Sequence, residues 1–66
     1  MIHVFIEPDR KRVTARGCKS VHGVLNRLNL EADQVLVIDE NNSLLTPDRL
    51  VRPGSRITVR KVGSRG

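Results

Sequence analysis

Few residues of this 66-residue chain have side chains able to do chemistry, and they are scattered. Cys18 is the single cysteine. It cannot close an internal disulfide, which fits a reducing compartment. No Cys or His stands beside it in a motif that would lower its pKa, so it reads as an inert loop thiol. His3 and His22 lack the spacing and the cysteine pair of a zinc site. Asp39-Glu40, even with Asp48, reads as a solvated turn rather than a cation site. There is no Gly-x-Gly-x-x-Gly and no phosphate-binding loop, and no serine sits beside a credible base and orienter. What remains is Gly66, the last residue of the sequence. Its α-carboxylate is ionised at neutral pH, with a reference pKa of about 3.3–3.7, and no side chain hinders attack at its carboxyl carbon. Residues 61–66 reach about 20 Å when extended, at ~3.3–3.6 Å each. That is enough to enter the active site of another protein. The competing reading is a frayed terminus without a role.

Length points the same way. A chain this short buries roughly 60% of its unfolded surface, and catalytic sites usually need a concave pocket of ~300 Å³ or more. The expectation is one domain that is not itself an enzyme. A hydrophobic fraction of 38% and a charged fraction of 29% describe a globular chain. No apolar run approaches ~18 residues, so no membrane span is expected. The apolar start of the chain is too short for a signal peptide, and a cytoplasmic location is expected. The net charge is +5. The arginines are spread along the chain, and the one basic run, Arg10-Lys11-Arg12, falls in a hairpin turn. Phe5 is the only aromatic residue, so no stacking platform for single strands exists. Nucleic acid is disfavoured as a partner. An acidic protein suits the charge through steering of the encounter.

The elements that would position a working terminus can be read from periodicity. Residues 2–6 alternate, with Ile2, Val4 and Ile6 on one face, and form a strand. Glu7-Pro8-Asp9-Arg10 is a turn, and residues 11–15 return as a second strand with Val13 inward. Ser20 is the N-cap of a helix whose stripe is Val21, Val24, Leu25 and Leu28, ended near Asn29. Gly23 inside that helix marks close packing against the sheet. Residues 34–38 form a strand that is apolar on both faces: a central strand, or an edge with one face awaiting a partner. Asp39-Glu40-Asn41-Asn42-Ser43 is a turn and Leu44-Leu45 a short strand. Thr46-Pro47-Asp48 reads as a capped helical turn. Arg52-Pro53-Gly54-Ser55 is the strongest turn signal in the chain. The last strand covers residues 56–61, with Ile57 and Val59 inward and Thr58 and Arg60 outward. Hairpin, helix and three further strands indicate the α+β class.

With that order of elements, the Pro53-Gly54 turn before the last strand and the stretch from Ile57 to Gly66, the whole chain resembles the ThiS/MoaD sulfur-carrier proteins of the ubiquitin-like β-grasp superfamily. The resemblance implies a β-grasp domain over residues 1–61, a mixed sheet of four to five strands packed on one helix, and a flexible C-terminal tail over residues 62–66. It also implies a function as a small sulfur carrier. The carboxylate of Gly66 would attack the α-phosphorus of ATP on a ubiquitin-activating-type (ThiF/MoeB-like) adenylating enzyme. A sulfur donor would then displace AMP and leave a C-terminal thiocarboxylate for thiamine, molybdopterin or related biosynthesis, with a sulfur-accepting synthase as a further partner. No cofactor would be bound by the carrier; ATP is used by the activating partner. Gly63, Ser64 and Arg65 would thread the partner's channel. Family members end in Gly-Gly, and here Arg65 replaces the penultimate glycine with a long charged side chain. Two other readings stand beside the carrier: a β-grasp interaction module without carrier chemistry, and a ubiquitin-like protein modifier.

One helix covers only one side of a sheet. The other side is expected to expose Phe5, Val35, Val37, Thr58 and Arg60 as a partner-docking face, an apolar patch rimmed by arginine.

Overall fold

A computed structural model describes residues 1–62 of the chain. Gly63, Ser64, Arg65 and Gly66, with most of the expected tail, lie outside the described residues. The elements are β1 (Ile2–Glu7), β2 (Lys11–Ala15), α1 (Val21–Arg27), a 3-10 turn (Ala32–Gln34), β3 (Val35–Ile38), β4 (Leu44–Leu45) and β5 (Arg56–Lys61). They form a small α+β fold: one mixed five-stranded sheet in the order β2-β1-β5-β3-β4, with one α-helix. β1 and β5 run parallel in the interior of the sheet, and every other pair is antiparallel. No helix among the described residues is long and apolar enough to cross a membrane.

Alternation sorts the strands onto the core. Ile2, Val4 and Ile6 of β1, Ile57 and Val59 of β5, and Val35 and Val37 of β3 are buried together with Ala15 of β2. The registers Val4↔Ile57, Ile6↔Val59 and Val37↔Val59 set these side chains next to one another on one face. Val21, Val24 and Leu25 of α1 close that face. Val13, Leu28, Leu30, Leu45 and Val51 pack around the margin. Burying a Val, Leu or Ile contributes roughly 1.5–3 kcal/mol. In so short a chain that leaves a net stability sensitive to any single core change.

The helix has only seven residues, below the length at which an isolated helix forms in water, so its ends matter. The Ser20 side chain accepts a hydrogen bond from the Gly23 amide at 3.1 Å, as its position predicts. The Val21 amide donates to the Arg49 carbonyl at 2.9 Å and the His22 amide to the Pro47 carbonyl at 2.8 Å. The amides left without intrahelical acceptors are therefore taken up by the 46–51 segment as well as by the cap. At the other end Asn29 adopts a left-handed φ of 63°. The Asn29 amide reaches the Asn26 carbonyl and the Leu30 amide the Leu25 carbonyl. That is a Schellman ending with asparagine in place of the usual glycine.

Two local expectations need correction. Gly23 does not face the sheet: a Cβ there would meet the Ser20 hydroxyl at 3.5 Å and the Cys18 Cβ at 3.8 Å, both ordinary contacts. Thr46-Pro47-Asp48 forms no helix. It is a single turn closed by the Arg49 amide on the Thr46 carbonyl at 3.0 Å, and the Thr46 hydroxyl donates to the Asp48 carboxylate at 2.6 Å instead of capping a backbone amide. The following residues are drawn out to bridge the helix start, with Leu50 paired to Ser20 and the Val51 amide donating to the Lys19 carbonyl.

Candidate functional site

The face of the sheet turned away from α1 is built by the residues between the core positions. One row crosses all five strands. Arg12 stands opposite Phe5, Phe5 beside Thr58, Thr58 opposite Ile38, and Ile38 opposite Leu44. A second row runs Glu7, Arg60, Leu36, and a third runs Thr14, His3, Arg56. Phe5, Ile38 and Thr58 are half-buried by their neighbours, whereas Leu36 is 40% and Leu44 63% exposed.

Of the expected docking residues, Phe5, Thr58 and Arg60 lie on this face, and Val35 and Val37 do not. Val35 and Val37 are 8% and 3% exposed, inside the core beneath α1. Leu36 and Ile38 hold the places expected for them. The cause is phase. All four residues of β3 are apolar, so alternation alone does not say which pair turns inward. Pairing with β5 decides it, because Val37 sits opposite the fully buried Val59. Gln34 carried the signal for the observed phase, since a polar residue at the strand's entry sets even positions outward. Asp39 at its exit points to the opposite phase, so the flanking residues do not decide it.

The electrostatics also differ from a free arginine rim. The Arg60 guanidinium is spent within the chain, donating from Nε to a Glu7 carboxylate oxygen at 3.0 Å. Beside it the Lys61 ammonium donates to the Asp9 carboxylate at 2.8 Å. These bonds join β5 to the end of β1 and the turn after it. The Lys61 bond, then its charge, holds the Asp9 carboxyl below its ordinary value. The Thr46 hydroxyl does the same to Asp48. Arg12 and Arg56 have no ion-pair partner among the described residues. They flank an open depression of about 540 Å³ whose floor includes His3, Phe5 and Thr58 and whose far end is Asp39-Glu40.

Asp39 is held by its own turn. One carboxylate oxygen accepts the Asn41 and Ser43 amides at 2.8 and 2.9 Å. Among the described residues no group of three or more His, Cys, Asp or Glu side chains could hold a metal ion. The face offers an apolar stripe for contact area, with guanidinium groups able to fork onto carboxylates.

The carrier chemistry expected at Gly66, and the threading role expected of Gly63, Ser64 and Arg65, fall outside the described residues. The structure brings β5 to them from the middle of the sheet. Val62 is its last described neighbour, fixed by its amide to the Gln34 carbonyl at 3.0 Å. No protein-family model matches the chain, and no curated protein sequence matches it either.

Proposed function

We propose that this chain is a β-grasp sulfur carrier whose C-terminal glycine, Gly66, is activated by a partner enzyme. The observation that supports this reading is the sheet order β2-β1-β5-β3-β4 with β1 and β5 parallel. This arrangement sets the last strand in the interior of the sheet, between β1 and β3, and aims the chain out of it into residues 63–66. The strand that leads to residue 63 is anchored by pairing on both sides, and a segment extended after it would span ~3.3–3.6 Å per residue.

On this reading a Gly66 carboxylate oxygen attacks the α-phosphorus of ATP. The bond from that phosphorus to the bridging oxygen breaks, and pyrophosphate leaves. A hydrosulfide-equivalent donor then adds to the acyl carbon and AMP leaves, so that one carboxyl oxygen is exchanged for sulfur. The adenylating enzyme supplies the nucleotide site and the catalytic groups. The carrier supplies the carboxylate and a surface to dock, for which Phe5, Leu36, Ile38 and Leu44 offer the apolar contact. Arg65 beside the reacting residue calls for a channel that accommodates a guanidinium.

The test uses the 66-residue chain, an adenylating enzyme of the ubiquitin-activating type, ATP and a sulfur donor, read by intact-mass spectrometry. The expected products are the adenylyl adduct and then the species with one oxygen replaced by sulfur, both absent when Gly66 is deleted. A chain that stays unmodified with an enzyme encoded beside it, and whose Gly66 deletion is neutral in the cell, is a docking module and not a carrier.

A further inference from the structure

β2 forms one edge of the sheet and pairs only with β1. An edge strand turns alternate N–H and C=O groups outward, where another strand can pair with them. Among the described residues no turn or loop hydrogen bond reaches the backbone of residues 11–15, so none of them caps this edge. The opposite edge, β4, has two residues and offers little to pair with.

The charge around the β2 edge is one-sided. Residues 10–20 contain Arg10, Lys11, Arg12, Arg16 and Lys19 and no Asp or Glu. The carboxylates just before them, Glu7 and Asp9, are already engaged from β5 by Arg60 and Lys61. Cations on an edge discourage pairing between copies of the same chain. They attract a strand of opposite sign. Lys11 and Arg12 are consecutive, so they turn to opposite faces: Lys11 stands opposite the core residue Ile6, and Arg12 opposite Phe5. A strand laid beside β2 meets a cation on either face. Arg12 also borders the depression floored by Phe5, which gives an apolar side chain of the incoming strand a place to lodge.

We propose that the free edge of β2 docks an extended acidic segment of a partner protein, which adds to the sheet as a sixth strand. Main-chain pairing supplies affinity and the cations select the partner's charge. The site does not involve Gly66, so it stands or falls apart from the carrier reading.

The experiment titrates the isotopically labelled full chain with a short end-capped peptide of alternating glutamate and valine, followed by amide NMR. Shifts should concentrate on residues 11–16, and exchange of the β2 amides should slow. Affinity should fall as salt rises. A peptide with lysine for glutamate, and the glutamate peptide N-methylated on alternate backbone nitrogens, should each bind about ten-fold more weakly or worse. Lys11→Glu with Arg12→Glu should weaken binding to a similar degree, while Arg27→Glu on the helix should leave it unchanged. Where the double variant fails to fold, the peptide arms decide alone.

Undiminished binding of the N-methylated peptide, equal binding of the basic one, or shifts centred on another surface would overturn the proposal. So would tighter binding of an oligonucleotide than of the acidic peptide at the same salt, which assigns the edge to nucleic acid. A chain that associates with itself on concentration, with β2 at the contact, assigns the edge to a second copy and overturns it as well.

Discussion

The two faces of the sheet are made by the same strands one residue out of step, and they do opposite things. Under α1 the side chains are aliphatic, mostly β-branched and closed off from water: Ile2, Val4, Ile6, Val35, Val37, Ile57 and Val59. On the open side Phe5, Leu36, Ile38 and Leu44 alternate with Arg12, Thr58 and Arg60. The covered face supplies stability. The open face leaves Leu36 and Leu44 exposed, and on the function proposed above that area is for contact with another molecule. The seven-residue helix covers one face and not the other, so changes in the helix bear on the comparison as directly as changes in the strands.

The sharpest break should come from adjacent residues of β5. Val59→Asp places a carboxylate at a fully buried position, in a core that holds no charged side chain among the described residues. The cost of burying it unpaired is several kcal/mol, enough to unfold a domain this small in a urea or thermal melt. Thr58→Asp, on the open face beside Phe5, should cost about 1 kcal/mol or less. Equal losses at the two positions would mean that both faces are covered.

A milder version tests the phase of β3. Val37→Thr buries a hydroxyl without a partner and should cost about 1–3 kcal/mol. Leu36→Thr should change stability by about 0.5 kcal/mol or less, and should weaken any partner that docks on the open face. The reverse order in denaturant midpoints would put Val35 and Val37 back on the open side.

The helix that covers the core face can be loosened or tightened without touching a strand. Ser20→Ala removes the acceptor for the Gly23 amide and should cost about 1 kcal/mol. Gly23→Ala should stabilise by about 0.5–1 kcal/mol, because the added Cβ meets nothing closer than 3.5 Å. A destabilised Gly23→Ala in the same melts would restore the reading of this glycine as a close-packing point.

The smallest effect concerns pH. The Asp9 carboxyl is held below its ordinary value of 3.8 by Lys61. A depressed carboxylate contributes its stability in full above the unfolded value, and the contribution is lost as pH falls through the folded one. Asp9→Asn should therefore leave the chain slightly less stable near neutral pH and flatten the decline below about pH 4. Both side chains are exposed, so added salt should shrink the difference. An unchanged acid limb would mean that this pair contributes nothing across the sheet.

Local chemistry determined much of this protein in advance. Ser20 had to open the helix, Asn29 could end it in a left-handed conformation, and Asp39 could tie down the 39–43 turn with one oxygen. The same holds for Gly54, whose φ of 88° suits the turn into β5, and for the alternation that put Ile2, Val4, Ile6, Ile57 and Val59 on one face. Each rests on interactions within a few residues, where type and spacing suffice. Three things waited for the tertiary structure. An all-apolar strand has no phase of its own, so β3 took its orientation from pairing with β5. The 46–51 segment became a clamp on the helix start because only there do the unpaired amides of Val21 and His22 meet free carbonyls. Arg60 lost its freedom to Glu7, 53 residues away in sequence, once the parallel pairing of β1 and β5 set them side by side. Sequence patterns report a residue's relation to its near neighbours, and these three outcomes depend on which distant strand lies alongside.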